Sequence, residues 1–368
     1  MNGVTSVNKQ QHTKQTLAFI GSYADAQNPG VYTAQFDAET GSLELTHNVS
    51  GLQNPTFLAI DEVNWRLYAL GEGIGDEGQK CGAASAFAIQ PETGELSLLN
   101  QVNTLPATTC HIQLDNSNQV IMVTSYHGGM VGLSPIEADG QIGTNADIRQ
   151  HQGASLLPVQ DRPRAHSVFV DRNNQYIGAC DLGLDKIIIY KLDLADKRLL
   201  PHREVSVAPG SGPRHFVFHP SYKYGYVINE LGSTVSAFTY DEEQGLLAEI
   251  QTLSTLPASF DGENACADIH VSPDGRFLYG SNRGHDSIVV YAIDEQTGKL
   301  QPIEHAPTLG KHPRNFGLSP DGRFALVANK DSDNIVSFAR DEATGKLVPT
   351  GSVLEMSQPV CIKFLAVR

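Results

Sequence analysis

Four side chains carry the chemistry that this sequence offers: His166, Arg214, Glu230 and Arg283. An imidazole has an unperturbed pKa of about 6.5 and can exchange a proton near neutral pH. A guanidinium grips an oxyanion through its planar fork and keeps its charge when partly desolvated. A carboxylate can orient either group or serve as a base itself. Acid–base chemistry on an anionic substrate is therefore within reach, provided the fold brings these distant residues together.

The elements that would do so are repeats. The phrase Gly212-Pro213-Arg214-His215-Phe216-Val217-Phe218, followed by Tyr226-Val227-Ile228-Asn229-Glu230, reads as a short buried strand, a turn and a second strand stopping at an acid. The same pattern returns from Asp268 to Arg283 and from Pro313 to Lys330. Further copies begin near Pro55, Cys110-His111 and Ala165-His166. A period of roughly 45 to 55 residues with four short strands is the signature of a propeller blade. Ser272-Pro273-Asp274-Gly275 and Ser319-Pro320-Asp321-Gly322 supply the Pro and Gly of tight turns. In the second copy the strand starting at Arg66 is expected to break at Gly71-Glu72-Gly73.

The first copy shows three strands, from 17–23, 30–36 and 42–45. The missing one is found at the other end, where Gln358-Pro359-Val360-Cys361-Ile362-Lys363-Phe364-Leu365 repeats the opening phrase of a blade. Six whole copies and one split copy predict an all-β, seven-bladed β-propeller closed by a blade shared between the N- and C-termini. Residues 1–15 are expected to form a flexible tail and residues 16–368 a single domain.

In such a ring, the residues opening the innermost strand and those closing the second strand meet at one mouth of the channel. The opening column contains His111, His166, Arg214 with His215, Asp268, and Arg314 with Asn315. The closing column contains Tyr126, Leu182, Glu230, Arg283 and Lys330, with Glu72 and His127 near the same level. His111, His215, His219, Asp268 and the column Asn229, Asn282 and Asn329 suit hydrogen bonds between blades, because buried polar groups need partners. His166, Arg214, Glu230 and Arg283 differ in type from blade to blade, which favours function. Arg314, Lys330, His127 and His111 complete the substrate-binding candidates, so that His111 carries both readings.

At these residues the sequence resembles the seven-bladed propeller lactonases, a family of bacterial 6-phosphogluconolactonases and fungal 3-carboxy-cis,cis-muconate lactonizing enzyme. The resemblance covers nearly the whole chain after residue 16. It is strongest in Arg164-Ala165-His166-Ser167, Gly212-Pro213-Arg214-His215, Val227-Ile228-Asn229-Glu230-Leu231 and Ser281-Asn282-Arg283. It implies an active-site set of one histidine, two arginines and one glutamate, falling on His166, Arg214, Arg283 and Glu230, and no metal or organic cofactor. Lactone hydrolysis would use His166 as general base, with Glu230 as its orienting partner or as an alternative base. Arg214 would meet the developing oxyanion and Arg283 the substrate's anionic group. Lactone-forming cyclisation of a carboxylated muconate could use the same residues. A non-catalytic propeller binding a protein or peptide predicts a broad apolar face, whereas the columns here are polar.

Composition narrows the partners. A formal charge of -15 disfavours nucleic acid and anionic membranes, leaving a small anionic substrate held by a local cluster of arginines. The five cysteines are scattered without Cys-x-x-Cys spacing, so neither a zinc site nor a disulfide framework is suggested. The first fifteen residues lack the apolar core of a signal peptide, and the expectation is a cytoplasmic monomer.

Overall fold

The computed structural model of the chain describes residues 16–367; the expected tail at 1–15 lies outside the described residues. Seven four-stranded antiparallel sheets follow one another around a ring. Thr16–Ser22 pairs on one side with Val31–Phe36 and on the other with Pro359–Ala366, Leu17 facing Leu365 and Ile20 facing Ile362. The last strand is therefore the innermost strand of blade 1, as its sequence predicts.

Burial follows from this stacking. A second strand is covered on both faces by neighbouring blades, so Val120–Ser125, Tyr224–Asn229 and Phe324–Asn329 are buried at every position. An outer strand such as Leu246–Ser254 reverts to mixed exposure. Tyrosines pin several sheets to the next: Tyr226 Oη donates to the Gly298 carbonyl at 3.0 Å, and Tyr279 Oη to that of Gly345 at 2.8 Å. Gly298 turns the outer hairpin at φ 68°, and a Cβ there would lie 2.3 Å from Tyr224 Cδ1. Gly298→Ala should thus cost roughly 1–3 kcal/mol through strain and overpacking. The check is a lower urea midpoint at an unchanged m-value.

One expectation is corrected. Arg66–Ile74 runs unbroken through Gly71-Glu72-Gly73, with Glu72 opposite Gly82 and Gly73 opposite Cys81. The glycine serves close approach and not a turn, since a Cβ on Gly73 would lie 2.3 Å from Asn103 Oδ1. The extended hairpin carries Glu72 to the mouth of the channel.

Candidate active site

The innermost strands of blades 4 to 7 share a local irregularity at their mouth ends. In blade 4, Ala165 pairs with Asp181 and Ser167 with Cys180, leaving His166 as an extra residue. Arg214 is likewise extra between Pro213 and His215, and Arg314 between Pro313 and Asn315. In blade 6 two residues, Ala267 and Asp268, stand between Cys266 and Ile269. Such β-bulges re-aim a side chain and end regular pairing. They also split the opening column in two. His166, Arg214, Arg314 and Cys110 form an upper tier, whereas His111, His215, Asp268 and Asn315 form a lower one. Aligning the copies by their strands puts His111, His166 and Asp268 on one level; an inserted residue has no signature in the sequence.

The lower tier links the blades. His215 Nδ1 lies 2.8 Å from Asp268 Oδ1, and Asp268 Oδ2 accepts from Asn315 Nδ2. Asn315 Oδ1 in turn accepts from the Ile362 amide at 2.8 Å, which carries the chain of bonds into blade 1. His111 is buried, with its ring 4.3 Å from that of Phe57, and is set below the cavity. His219 bonds to the Gly275 carbonyl at 2.9 Å. Asn229, Asn282 and Asn329 are fully buried and bond to adjacent strands and loops.

The upper tier is centred on Glu230, whose Oε2 lies 2.8 Å from Arg214 Nε and 3.0 Å from Arg283 Nη2. The Arg214 Nε–H is directed off that line, so this contact is an ion pair by distance only. Arg214 is buried and also donates from Nη1 to the Ala267 carbonyl. Burial, followed by the charges of Arg283 and Arg314, lowers its pKa to about 9, which leaves it cationic at neutral pH. No hydrogen bond among the described residues takes its Nη2. Arg283 donates to the carbonyls of Ala265 at 3.2 Å and Cys266 at 2.6 Å. Burial alone would raise the Glu230 pKa, but Arg283, Arg214 and Arg314 outweigh it and hold the carboxylate ionised. Glu230 thus orients two guanidinium groups, and makes no hydrogen bond to His166.

His166 is 5% exposed, and its Nδ1 has no hydrogen-bond partner among the described residues. Burial, then Arg214, His215, Arg314 and His111, keep its pKa well below the ordinary histidine value. It is therefore a neutral ring with a buried Nδ1 and an Nε2 that is accessible and makes no hydrogen bond among the described residues. It borders a cavity of about 270 Å³, together with Glu230, Arg314, Tyr126, His127 and Tyr23. His127 is exposed at the rim. Arg314 and Lys330 stand over the Tyr23 ring at 5.9 and 5.4 Å. Lys330 is committed to Asp331 at 2.9 Å, whereas Arg314 makes no ion pair or side-chain hydrogen bond among the described residues. No group of three or more His, Cys, Asp or Glu among them could hold a metal ion.

Tyr23 was missed in the sequence. It follows Ser22 at the end of the second strand of the split blade, the place Glu230 holds in blade 5, and only a register extended to that blade would have found it. The loop residues Asn54, Thr108 and Thr109 also border the cavity and lie outside the repeated phrases.

A closed ring of seven sheets, with a histidine, arginines and a carboxylate converging on one mouth, defines a propeller equipped for oxyanion chemistry. The chain belongs to the family described as lactonase, 7-bladed beta-propeller, whose model matches residues 17–364. It is 35% identical to the 6-phosphogluconolactonase of Bacillus subtilis over 349 residues, 95% of this chain and 98% of that one. A 6-phosphogluconolactonase of Formosa agariphila is 36% identical over 82% of this chain and 85% of its own. Among solved structures, the periplasmic gluconolactonase PpgL of Pseudomonas aeruginosa matches with a TM-score of 0.90 at 32% identity, over 96% of this chain and 100% of that one. These relationships place the chain among the hydrolases that act on lactones.

Proposed function

We propose that this chain hydrolyses 6-phosphogluconolactone to 6-phosphogluconate. The observation that carries the reading is the pairing, on one cavity, of a neutral His166 and an uncommitted Arg314. His166 Nε2, the ring nitrogen that is not shut off from solvent, takes a proton from water while the water oxygen attacks the lactone carbonyl carbon. The resulting oxyanion is met by Arg214, which borders the small adjoining cavity shared with Arg314 and Cys110, through its unoccupied Nη2. Collapse breaks the bond between the carbonyl carbon and the ring oxygen, and His166 returns the proton to that oxygen. Arg314, in place of Arg283, takes the phosphate, because Arg283 is held by Glu230 and two carbonyls. Two relatives named 6-phosphogluconolactonase support this substrate.

The test is to generate 6-phosphogluconolactone enzymatically and follow its removal above the spontaneous rate, with a carboxymuconate absorbance assay in parallel. Acceleration of the second reaction alone would replace hydrolysis by cyclisation. Arg314→Met should lower kcat/KM on the phosphorylated lactone by roughly 10- to 150-fold, the worth of one charge-assisted hydrogen bond. Unphosphorylated gluconolactone should be hydrolysed by this variant within about twofold of the parent rate. Equal losses on both substrates would remove Arg314 from the phosphate.

A further inference from the structure

We propose that the cavity wall contributed by blades 2 and 3 recognises the hydroxyl groups of a polyol chain, with Glu72 as its specificity-determining residue; this rests on the sugar-lactone reading above and deepens it. The cavity has two unlike sides. One carries Arg314, His166 and Glu230; the other carries Glu72, Asn54, Thr56, Thr108 and Thr109. A phosphate or carboxylate fits the first side and is repelled from the second by Glu72. What suits a carboxylate set among hydroxyls and an amide is a neutral group that both donates and accepts, which is the chemistry of an alcohol.

The local bonding leaves capacity for it. Glu72 Oε1 accepts from Asn54 Nδ2 at 2.9 Å and Oε2 accepts from Lys80 Nζ at 3.0 Å. A carboxylate offers about four acceptor sites, so Glu72 retains acceptor capacity on both oxygens. Its backbone is fixed by the Gln53 carbonyl, which accepts from the Glu72 amide at 2.8 Å, and by the ladder to Gly82. The carboxylate is thus held in place before a ligand arrives. Thr109 backs this wall: its Oγ1 is buried and has no hydrogen-bond partner among the described residues. Its methyl is packed on Gly82, where a Cβ would lie 2.6 Å from Thr109 Cγ2. Glu72 would therefore select a hydroxylated lactone and reject one bearing a second carboxylate on that side, discrimination by repulsion as well as by attraction.

Calorimetry with two unreactive probes separates this wall from the chemistry: 6-phosphogluconate, and 6-phosphonooxyhexanoate of the same length without hydroxyls. The parent protein should bind the polyol at least about 10-fold more tightly, as expected for hydrogen bonds to a charged group. Glu72→Gln should reduce that preference to below about threefold while leaving 6-phosphonooxyhexanoate unaffected. Asn54→Ala should reduce it in the same sense, and Lys80→Met should leave it intact. Arg314→Met should weaken both probes alike. A parent protein without preference, or a Glu72→Gln variant weakened equally for both probes, overturns the proposal. So does a Lys80→Met variant that reproduces Glu72→Gln, because Glu72 would then act only as an anchor for Lys80. A polyol preference in a protein that fails to accelerate lactone hydrolysis would sink the proposed reaction and leave the wall standing. Hydrolysis without preference does the reverse.

Discussion

His166→Gln is expected to lower turnover by on the order of 100- to 10,000-fold, the range for loss of a general base. Glutamine preserves the approximate size and polarity of the ring but cannot exchange a proton near neutrality. The pH profile makes the expectation specific. Burial first, and then Arg214, His215, Arg314 and His111, disfavour the imidazolium form. His166 is then already deprotonated at neutral pH, and kcat/KM should be flat through neutrality. Activity should fall only when the pH drops toward the lowered pKa, well under 6.5, where the ring gains its proton and the base is lost. This acid limb should vanish in His166→Gln. If it persists there and disappears in Glu230→Gln, the base is Glu230 and His166 is a positioning residue. A full-rate His166→Gln enzyme would remove the histidine mechanism and leave the propeller and its cationic mouth as they are.

Glu230→Gln should be the most destabilising conservative change at the mouth. Arg214 and Arg283 both lie within 3.0 Å of one carboxylate oxygen, and the Arg214 side chain is only 2% exposed. Removing the negative charge leaves two closely spaced guanidinium groups uncompensated, with Arg314 adding to the field. Breaking a fully buried pair costs about 3–5 kcal/mol. The Glu230 side chain retains 17% exposure, so water relieves part of the penalty and a loss of roughly 2–4 kcal/mol is expected. Urea denaturation measures it, and the double variant Glu230→Gln with Arg283→Gln should recover part of the loss, since one unpaired cation is removed. A single variant as stable as the parent would show that the ion pairs contribute nothing. The acid limb should survive in this variant and move to lower pH, because a negative neighbour no longer offsets the arginines around His166.

The ring itself was legible because each blade repeats one buried phrase and one turn chemistry, and because Gln358 to Leu365 repeats a phrase whose blade had started at Leu17. The gathering of His166, Arg214, Glu230 and Arg283 at one end of the ring was legible too, since they interrupt positions where a purely structural ring would keep one residue type, although only His166 and Glu230 among them border the cavity. Tiers were not. A bulge adds a residue without changing composition, so His111 and His166 looked equivalent while one faces Phe57 and the other a cavity. Partner choice was equally hidden. Nothing in the types of Glu230 and Arg314 tells that the first is held by two arginines and the second by no acid among the described residues. Gly73 misled for a related reason: glycine reads as a breaker, but here it makes room inside a continuous hairpin.

The closing strand has a consequence for biosynthesis. Chains emerge N-terminus first at about 5–20 residues per second, so Thr16–Ser22 leaves the ribosome on the order of tens of seconds before Pro359–Ala366, the partner it needs. Through that interval blade 1 has three strands and an open inner edge, a template for pairing with other chains. Val360 and Cys361, which complete both tiers of the ring, arrive with the same strand. A nascent chain interrupted before it would lack the closing hydrogen bond from Ile362 to Asn315, and would meet chaperones and proteases as an open arc without a finished pocket.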